Sequence, residues 1–142
     1  MVLHREQYKC TKLNVPSSST FESLCLRLAA DGQSIILLSI YRPGSERVVN
    51  EFFEELATVL EALVVHQCPV VIGGDINIHV DDTTNSHTKR LSDLLDTFGI
   101  LQHVTGATHT QGHTLDIVIT DADQNFEMVI VDPPGLISDL HL

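Results

Sequence analysis

The sequence predicts an α/β domain in which apolar strands alternate with amphipathic helices. Apolar strand-like runs occur at 35–41 and 70–72, and segments with helical periodicity follow each of them. The chain has 142 residues and is 43% hydrophobic, enough for one domain with a modest core. No apolar run reaches the roughly 18 residues that a membrane span requires. This alternation is typical of helices packed on a sheet.

The first elements predicted are two strands joined by a short turn. Residues 23–28 alternate apolar and mixed side chains, as a half-exposed strand does. Residues 30–33 form a turn, and residues 35–41 are almost continuously apolar, which indicates burial on both faces. We therefore expect a β-hairpin that ends where residues 42–45 break the second strand.

Two amphipathic helices are predicted next, from Glu46 to about His66 and from Thr88 to Phe98. Ser45 is the expected N-cap of the first helix, and Gly99 closes the second. A polar loop at 80–86 precedes the second helix. Two further strands are expected at 115–119 and 128–131.

The most informative segment is the apolar run at 70–72, which leads through Gly73 and Gly74 to Asp75 and Asn77. Side chains two residues apart in an extended segment point the same way, so Asp75 and Asn77 should converge at the carboxyl end of a central strand. Open α/β sheets place their sites there. A carboxylate beside an amide can activate a water and steady a phosphoryl oxygen. The alternative is an ordinary polar turn at a strand end.

Two other strands carry candidate residues. Tyr41 could donate a hydrogen bond to a phosphate and Arg42 could offset its charge, although a strand-end tyrosine is also an ordinary amphipathic residue. Asp116 interrupts an apolar strand, where a buried carboxylate needs a partner. It either orients a histidine or faces water on an edge strand.

The histidines do not compel a metal site by their spacing. His79, His103, His109 and His113 form no HxH or HxxxH pattern, and most are expected on the surface or at caps. His113 is the exception we favour, because it lies close to Asp116 in sequence. Asp139 and His141 could serve acid–base chemistry or metal binding, although a pair near the end of the chain is weak support.

Charge and cysteine content limit the partners and the compartment. The net charge is −11, with only eight Lys and Arg residues, which argues against a generic basic nucleic-acid surface. It allows a metal-dependent enzyme in which cations offset the carboxylates.

Cys10, Cys25 and Cys68 fit neither a disulfide framework nor a CxxC site, and no signal-peptide pattern follows Met1. We expect an intracellular protein, nuclear or cytoplasmic.

An ordered set of motifs resembles the endonuclease/exonuclease/phosphatase superfamily, and most closely the endonuclease domain of non-LTR (LINE-type) retrotransposons. The motif segments are Tyr41-Arg42-Pro43, Gly73–His79, Gln102–Gly106 and Gly112–Val118. The resemblance covers about Phe21 to Asp139. It implies a four-layered α/β sandwich, with two β-sheets flanked by helices, and Mg²⁺-dependent cleavage of DNA phosphodiesters.

The resemblance also implies individual roles. Asp75 positions or activates the attacking water and contributes to the metal site, and Asn77 stabilises the phosphoryl oxygens. Tyr41 contacts the phosphate, and Asp116 orients the family's catalytic histidine. Asp139 belongs to the metal region. The residues that we assign to substrate binding are Arg42, His113 and Thr114.

The sequence departs from the family pattern in three places. The family's amino-terminal third, with an Asn and the principal metal-binding Glu, is absent. Leu140 holds the position of the catalytic histidine, and His141 on a regular strand would face the opposite side unless a bulge turns it. Ile76 replaces the usual Phe, which changes packing only.

We therefore interpret residues 1–142 as a single, incomplete domain truncated at both ends. Expected consequences are weak Mg²⁺ binding, little or no DNA nicking by this chain, and self-association through exposed sheet edges. DNA is the expected partner of the complete protein. Two alternatives stay open: another phosphoesterase of the superfamily, acting on a sugar or lipid phosphate, and a non-catalytic remnant or interaction module.

Overall fold

The computed structural model describes residues 8–109, 112, 114 and 116–121. They form one six-stranded mixed sheet with the order β1-β2-β3-β4-β6-β5. β3 and β4 are parallel, and the other neighbouring strands are antiparallel. The strands are β1 Lys9–Leu13, β2 Glu22–Ala30, β3 Gln33–Tyr41, β4 Val70–Asp75, β5 Ile100–Gln102 and β6 Asp116–Asp121, and the helices are α1 Asn50–Val64 and α2 Ser86–Thr97.

The α/β class and the predicted hairpin are confirmed. β2 and β3 pair from Glu22↔Tyr41 to Ala30↔Gln33, so Asp31 and Gly32 form a two-residue turn. Both turn residues have positive φ, 52° and 75°, which suits the right-handed twist of a hairpin.

The two helices pack their apolar side chains against the sheet and enclose the core. Phe52 of α1 shares this core with Ile36, Leu38 and Ile72 of the central strands, and all four side chains are at most 2% exposed. Leu91 of α2 belongs to the same core. α1 also joins the parallel strands β3 and β4 as a crossover helix. Because the two strands run in the same direction, their carboxyl ends lie at the same edge of the sheet.

The helix boundaries differ in part from the prediction. α1 begins at Asn50 after an extended Val49 that makes no side-chain cap, so Ser45 is not its N-cap. Residues 43–49 form a loop instead, and Arg42 binds the carbonyl oxygens of Pro43 and Glu46 within it. α2 begins at Ser86, where the Asn85 side chain accepts hydrogen bonds from two backbone N–H groups and caps the helix.

The strands also differ in part from the prediction. β1 and β5 were not predicted, and the expected strand at 128–131 lies outside the described residues. Burial of β3 on both faces is wrong, since Ile35 and Tyr41 are 40% and 47% exposed while Ile36, Leu38 and Ile40 are buried. The described residues contain one sheet, so the second sheet of the expected sandwich is not among them. No helix in this part of the chain is long and apolar enough to cross a membrane.

Candidate active site

Three predicted site residues meet at one edge of the sheet. Tyr41, at the end of β3, is the register partner of Asp75 at the end of β4. Asp75 is in turn the partner of Asp116 at the start of β6. Register partners on neighbouring strands point to the same face, so the three side chains share one rim. The structure thus brings together residues that are 75 positions apart in the sequence, from 41 to 116.

Asp75 is a half-buried carboxylate with a defined partner. Its Oδ1 accepts a hydrogen bond from the backbone N–H of Asn77 at 2.9 Å. Burial raises the pKa of Asp75, the Asn77 N–H opposes that shift, and the charge of Asp116 raises the pKa further. Arg42 and His109 act in the lowering direction. The net effect is a raised pKa, a property common in groups that exchange protons or bind cations.

Asn77 reaches Asp75 by a route that the sequence did not predict. Its φ is 50°, in the left-handed region, so the segment from Asp75 to Asn77 is a turn and not an extended strand. The turn directs the Asn77 N–H to the Asp75 carboxylate, while Nδ2 donates to the Arg42 carbonyl at 2.8 Å. Asp75 and Asn77 are in contact, as predicted. The predicted reason, that both side chains point the same way from an extended strand, is wrong.

Arg42 is 3% exposed, and its guanidinium binds backbone carbonyl groups. Nε donates to Ile76 at 2.6 Å, Nη2 to Asn77 at 2.7 Å, and Nη1 to Glu46 at 2.8 Å and Pro43 at 3.3 Å. Burial lowers the pKa of Arg42, and the carboxylates of Asp75 and Glu46 oppose that shift. These four bonds occupy most of the five N–H donors of the guanidinium. The role of Arg42 in substrate binding stays a prediction.

Two glycines allow the loops to approach each other at this rim. A Cβ on Gly74, whose φ is 141°, would lie 1.8 Å from the carbonyl oxygen of Ile40. A Cβ on Gly44 would lie 2.8 Å from Oδ1 of Asn77. The contact at Gly74 is with backbone, so glycine is required there, whereas at Gly44 a Cβ would displace the side chain of Asn77.

Thr114 supports the rim from within the protein. It is 2% exposed, its backbone N–H donates to Asp81 Oδ1 at 2.9 Å, and its hydroxyl donates to the Gly106 carbonyl at 2.7 Å. The hydroxyl hydrogen is committed to the Gly106 carbonyl, and substrate binding by Thr114 stays a prediction. Its role here is to hold the segment before β6 against two loops.

His109 lies near the rim, a position that was not predicted from the sequence. The Thr108 hydroxyl accepts a hydrogen bond from the Asp116 N–H at 3.1 Å, which anchors the loop beside the rim. The next residue, His109, is half-buried and close enough to Asp75 to lower the pKa of that carboxyl. The sequence could have indicated His109, because this residue lies between the two motif segments Gln102–Gly106 and Gly112–Val118. The residue favoured instead, His113, lies outside the described residues.

The carboxylates at the rim are suited to a hard divalent cation. Mg²⁺ in proteins is commonly held by one or two carboxylates, with waters and substrate phosphates as the other ligands. Asp75 and Asp116 supply such a pair. The raised pKa of Asp75 means that its ionised form is disfavoured in the protein, and a bound cation would stabilise that form. The described residues hold no group of three or more His, Cys, Asp or Glu placed to bind a metal. Asp139 and His141 lie outside the part of the chain that the structure describes.

Residues 35–141 match a family model described as endonuclease-reverse transcriptase. The structure is similar to the endonuclease domain of TRAS1, a telomere-specific non-LTR retrotransposon, with a TM-score of 0.57 and 13% identity. That alignment covers 82% of this chain and 54% of the TRAS1 domain. No curated protein matches the sequence.

Two other solved structures have the same fold. TDP2 of D. rerio, complexed with a single-strand DNA product, aligns with a TM-score of 0.52 and 12% identity, over 81% of this chain and 53% of that one. The Haemophilus ducreyi cytolethal distending toxin aligns with a TM-score of 0.51 and 13% identity, over 85% and 46%. At these identities the similarity establishes the fold alone. The chain spans about half the length of the structures it matches.

Proposed function

The chain belongs to the endonuclease-reverse transcriptase family, and on that premise we propose that its rim takes part in Mg²⁺-dependent hydrolysis of DNA phosphodiesters. The observation that carries the proposal is the register of Tyr41, Asp75 and Asp116 across three neighbouring strands. A hydroxyl donor and two carboxylates on one face are the groups that phosphoryl transfer needs for positioning and charge stabilisation.

Each rim residue has a distinct task in this proposal. Asp75 orients the attacking water and accepts its proton. Tyr41, which is 47% exposed, donates its hydroxyl to a non-bridging phosphate oxygen. The water oxygen bonds to phosphorus, the bond to the leaving oxygen breaks, and the leaving oxygen takes up a proton from solvent.

Asp75 and Asp116 are the described residues that would hold Mg²⁺. When bound, the metal neutralises charge on the phosphate and on the leaving oxygen. The net charge of −11 repels a polyanion such as DNA, so the cation also has a role in substrate binding. DNA association should therefore depend on Mg²⁺ more strongly than it does for a basic nuclease.

The test is nicking of supercoiled plasmid in Mg²⁺. Because the chain spans about half of the matched structures, it should be assayed both alone and joined to the amino-terminal segment of a structurally similar endonuclease, with Leu140→His included in one version. We expect nicking by the joined form, and its loss in Asp75→Ala. Asp93→Ala is the matched control, since Asp93 is an exposed aspartate of α2.

Two results would overturn the proposal. One is a folded joined chain that leaves DNA, RNA and small phosphodiesters intact, which would favour the non-catalytic alternative. The other is hydrolysis of sugar or lipid phosphates without DNA nicking, which would favour another phosphoesterase of the superfamily.

A further inference from the structure

The loops after β3 and β4 are joined by reciprocal bonds between Arg42 and Asn77. Arg42 Nη2 donates to the Asn77 carbonyl at 2.7 Å, and Asn77 Nδ2 donates to the Arg42 carbonyl at 2.8 Å. Arg42 Nε adds a bond to the carbonyl of Ile76 at 2.6 Å. Both residues that follow Asp75 are thus bound to one guanidinium.

These bonds act on the residue that orients the Asp75 carboxylate. Asn77 has a φ of 50°, in the left-handed region that, among non-glycine residues, Asn and Asp visit most readily. In that conformation its N–H points to Asp75 Oδ1 at 2.9 Å. Without the bonds to its carbonyl and side chain, Asn77 would be able to leave the left-handed region, and the Asp75 carboxylate would lose its fixed partner.

The guanidinium is suited to this task in a way that an ammonium is not. It carries five N–H donors in a rigid plane, and here it serves carbonyls from both loops at once. It is 3% exposed and lies 5.9 Å from the centre of the Phe52 ring, which fixes its position. Lysine would keep the charge but could not span the same acceptors.

We propose that Arg42 is a positioning residue, which fixes Asn77 and through it the Asp75 carboxylate, and that it does not contact the substrate. This inference rests on the proposed phosphodiesterase function for its kinetic consequence. The linkage of the two loops by Arg42 and Asn77 can be tested without an activity assay.

The activity-independent test is NMR of the 142-residue chain without DNA. We expect the Asn77 side-chain amide protons to be protected from solvent exchange, and Arg42→Lys to remove that protection while Arg90→Gln leaves it intact. Arg90 is the matched control because it also lies over a phenylalanine ring, Phe53 at 4.8 Å, and it belongs to α2. Rapid exchange of the Asn77 amide in the unmodified chain would overturn the proposal, whether or not the chain is a nuclease.

The kinetic test uses the form of the protein that nicks DNA. Arg42→Lys and Arg42→Gln should each lower kcat by about 100-fold, since small misplacements of catalytic groups have effects of that size. KM and its salt dependence should stay within about twofold, because no phosphate contact is lost. A rise in KM with a weaker salt dependence would show that Arg42 binds the substrate directly.

Gly44→Ala disturbs the Asn77 side chain without changing Arg42. It therefore tests the proposal even if the Arg42 variants fail to fold. Its Cβ would lie 2.8 Å from Asn77 Oδ1, and Gly44 is exposed, so the core is unaffected. We expect a lower kcat with an unchanged melting temperature. Full activity in Gly44→Ala, with Asn77 displaced in its NMR spectrum, would contradict the proposal.

Discussion

Asp75 and Asp116 are direct register partners across the antiparallel strands β4 and β6. Side chains in such pairs have Cβ atoms about 4.5–5.5 Å apart, and like charges placed there destabilise the sheet. Burial and the charge of Asp116 both raise the pKa of Asp75. Asp75 and Asp116 would hold a divalent cation, whose charge would offset the repulsion within this pair.

The first prediction concerns the metal. Mg²⁺ titration, followed by NMR of the backbone amides, should shift the signals of Asp75 and Asp116 with weak, saturable binding, because two carboxylates leave most ligand positions to water. Asp75→Asn should remove the response, and Asp93→Asn should retain it. Unchanged Mg²⁺ binding in Asp75→Asn would place the metal elsewhere.

The second prediction concerns pH in the presence of a chelator. The folded-state pKa of Asp75 is raised above its ordinary value of 3.8, so its contribution to stability is fully present below that pH and is lost as pH rises through the folded-state pKa. Asp75→Asn cannot ionise and keeps an oxygen for the Asn77 N–H. Its free energy of unfolding should exceed that of the unmodified chain near neutral pH, and the difference should shrink toward about pH 4. Urea unfolding across this range is the measurement, and a pH-independent difference would contradict it.

Local patterns in the sequence were sufficient for the hairpin, both helices and the strand that ends at Asp75. Those elements have strong periodicity or clear turn residues. β1 was missed because its sequence, KCTKL, is polar and lies mostly exposed at the sheet edge. β5 has three residues, too few for a periodic signal.

The placement of Tyr41, Asp75 and Asp116 at one rim was predicted, whereas the contacts of Arg42 and Asn77 were not. The rim of Tyr41, Asp75 and Asp116 follows from strand ends, which a sequence reveals. The roles of Arg42 and Asn77 depend on bonds between residues 35 positions apart, which no local pattern encodes. The left-handed φ of Asn77 follows from the same contacts.

The third prediction compares two adjacent glycines. Gly74→Ala would place a Cβ 1.8 Å from the Ile40 carbonyl oxygen at a φ of 141°, so we expect a loss of about 3 kcal/mol or more in stability. Gly73→Ala is the matched control, because among the described residues its Cβ would meet only the Ile117 carbonyl oxygen, at 3.8 Å. Its effect should stay below about 1 kcal/mol. Equal effects in urea unfolding would show that the close approach at Gly74 is not a constraint.

The fourth prediction separates support from substrate binding at Thr114. Thr114→Val removes the hydroxyl that bonds to the Gly106 carbonyl, so stability should fall by about 1–2 kcal/mol. Thr114→Ser keeps the hydroxyl and should lose less. Thermal and urea unfolding give the measurement. A large rise in KM for DNA with unchanged stability would instead support the predicted substrate-binding role.

The last prediction concerns Tyr41, the exposed hydroxyl of the rim. Tyr41→Phe removes one oxygen from a side chain that is 47% exposed, so the free energy of unfolding should change by less than about 0.5 kcal/mol. If the hydroxyl donates to a phosphate oxygen, the loss of a hydrogen bond to a charged group should lower kcat/KM for nicking by about 10- to 100-fold. Tyr8→Phe is the control, because Tyr8 is 38% exposed and precedes β1 at the opposite end of the sheet, where Lys9 pairs with Ala29. Equal activity in Tyr41→Phe and Tyr8→Phe would remove Tyr41 from the reaction and leave the two carboxylates as the groups of the rim that act on the phosphate.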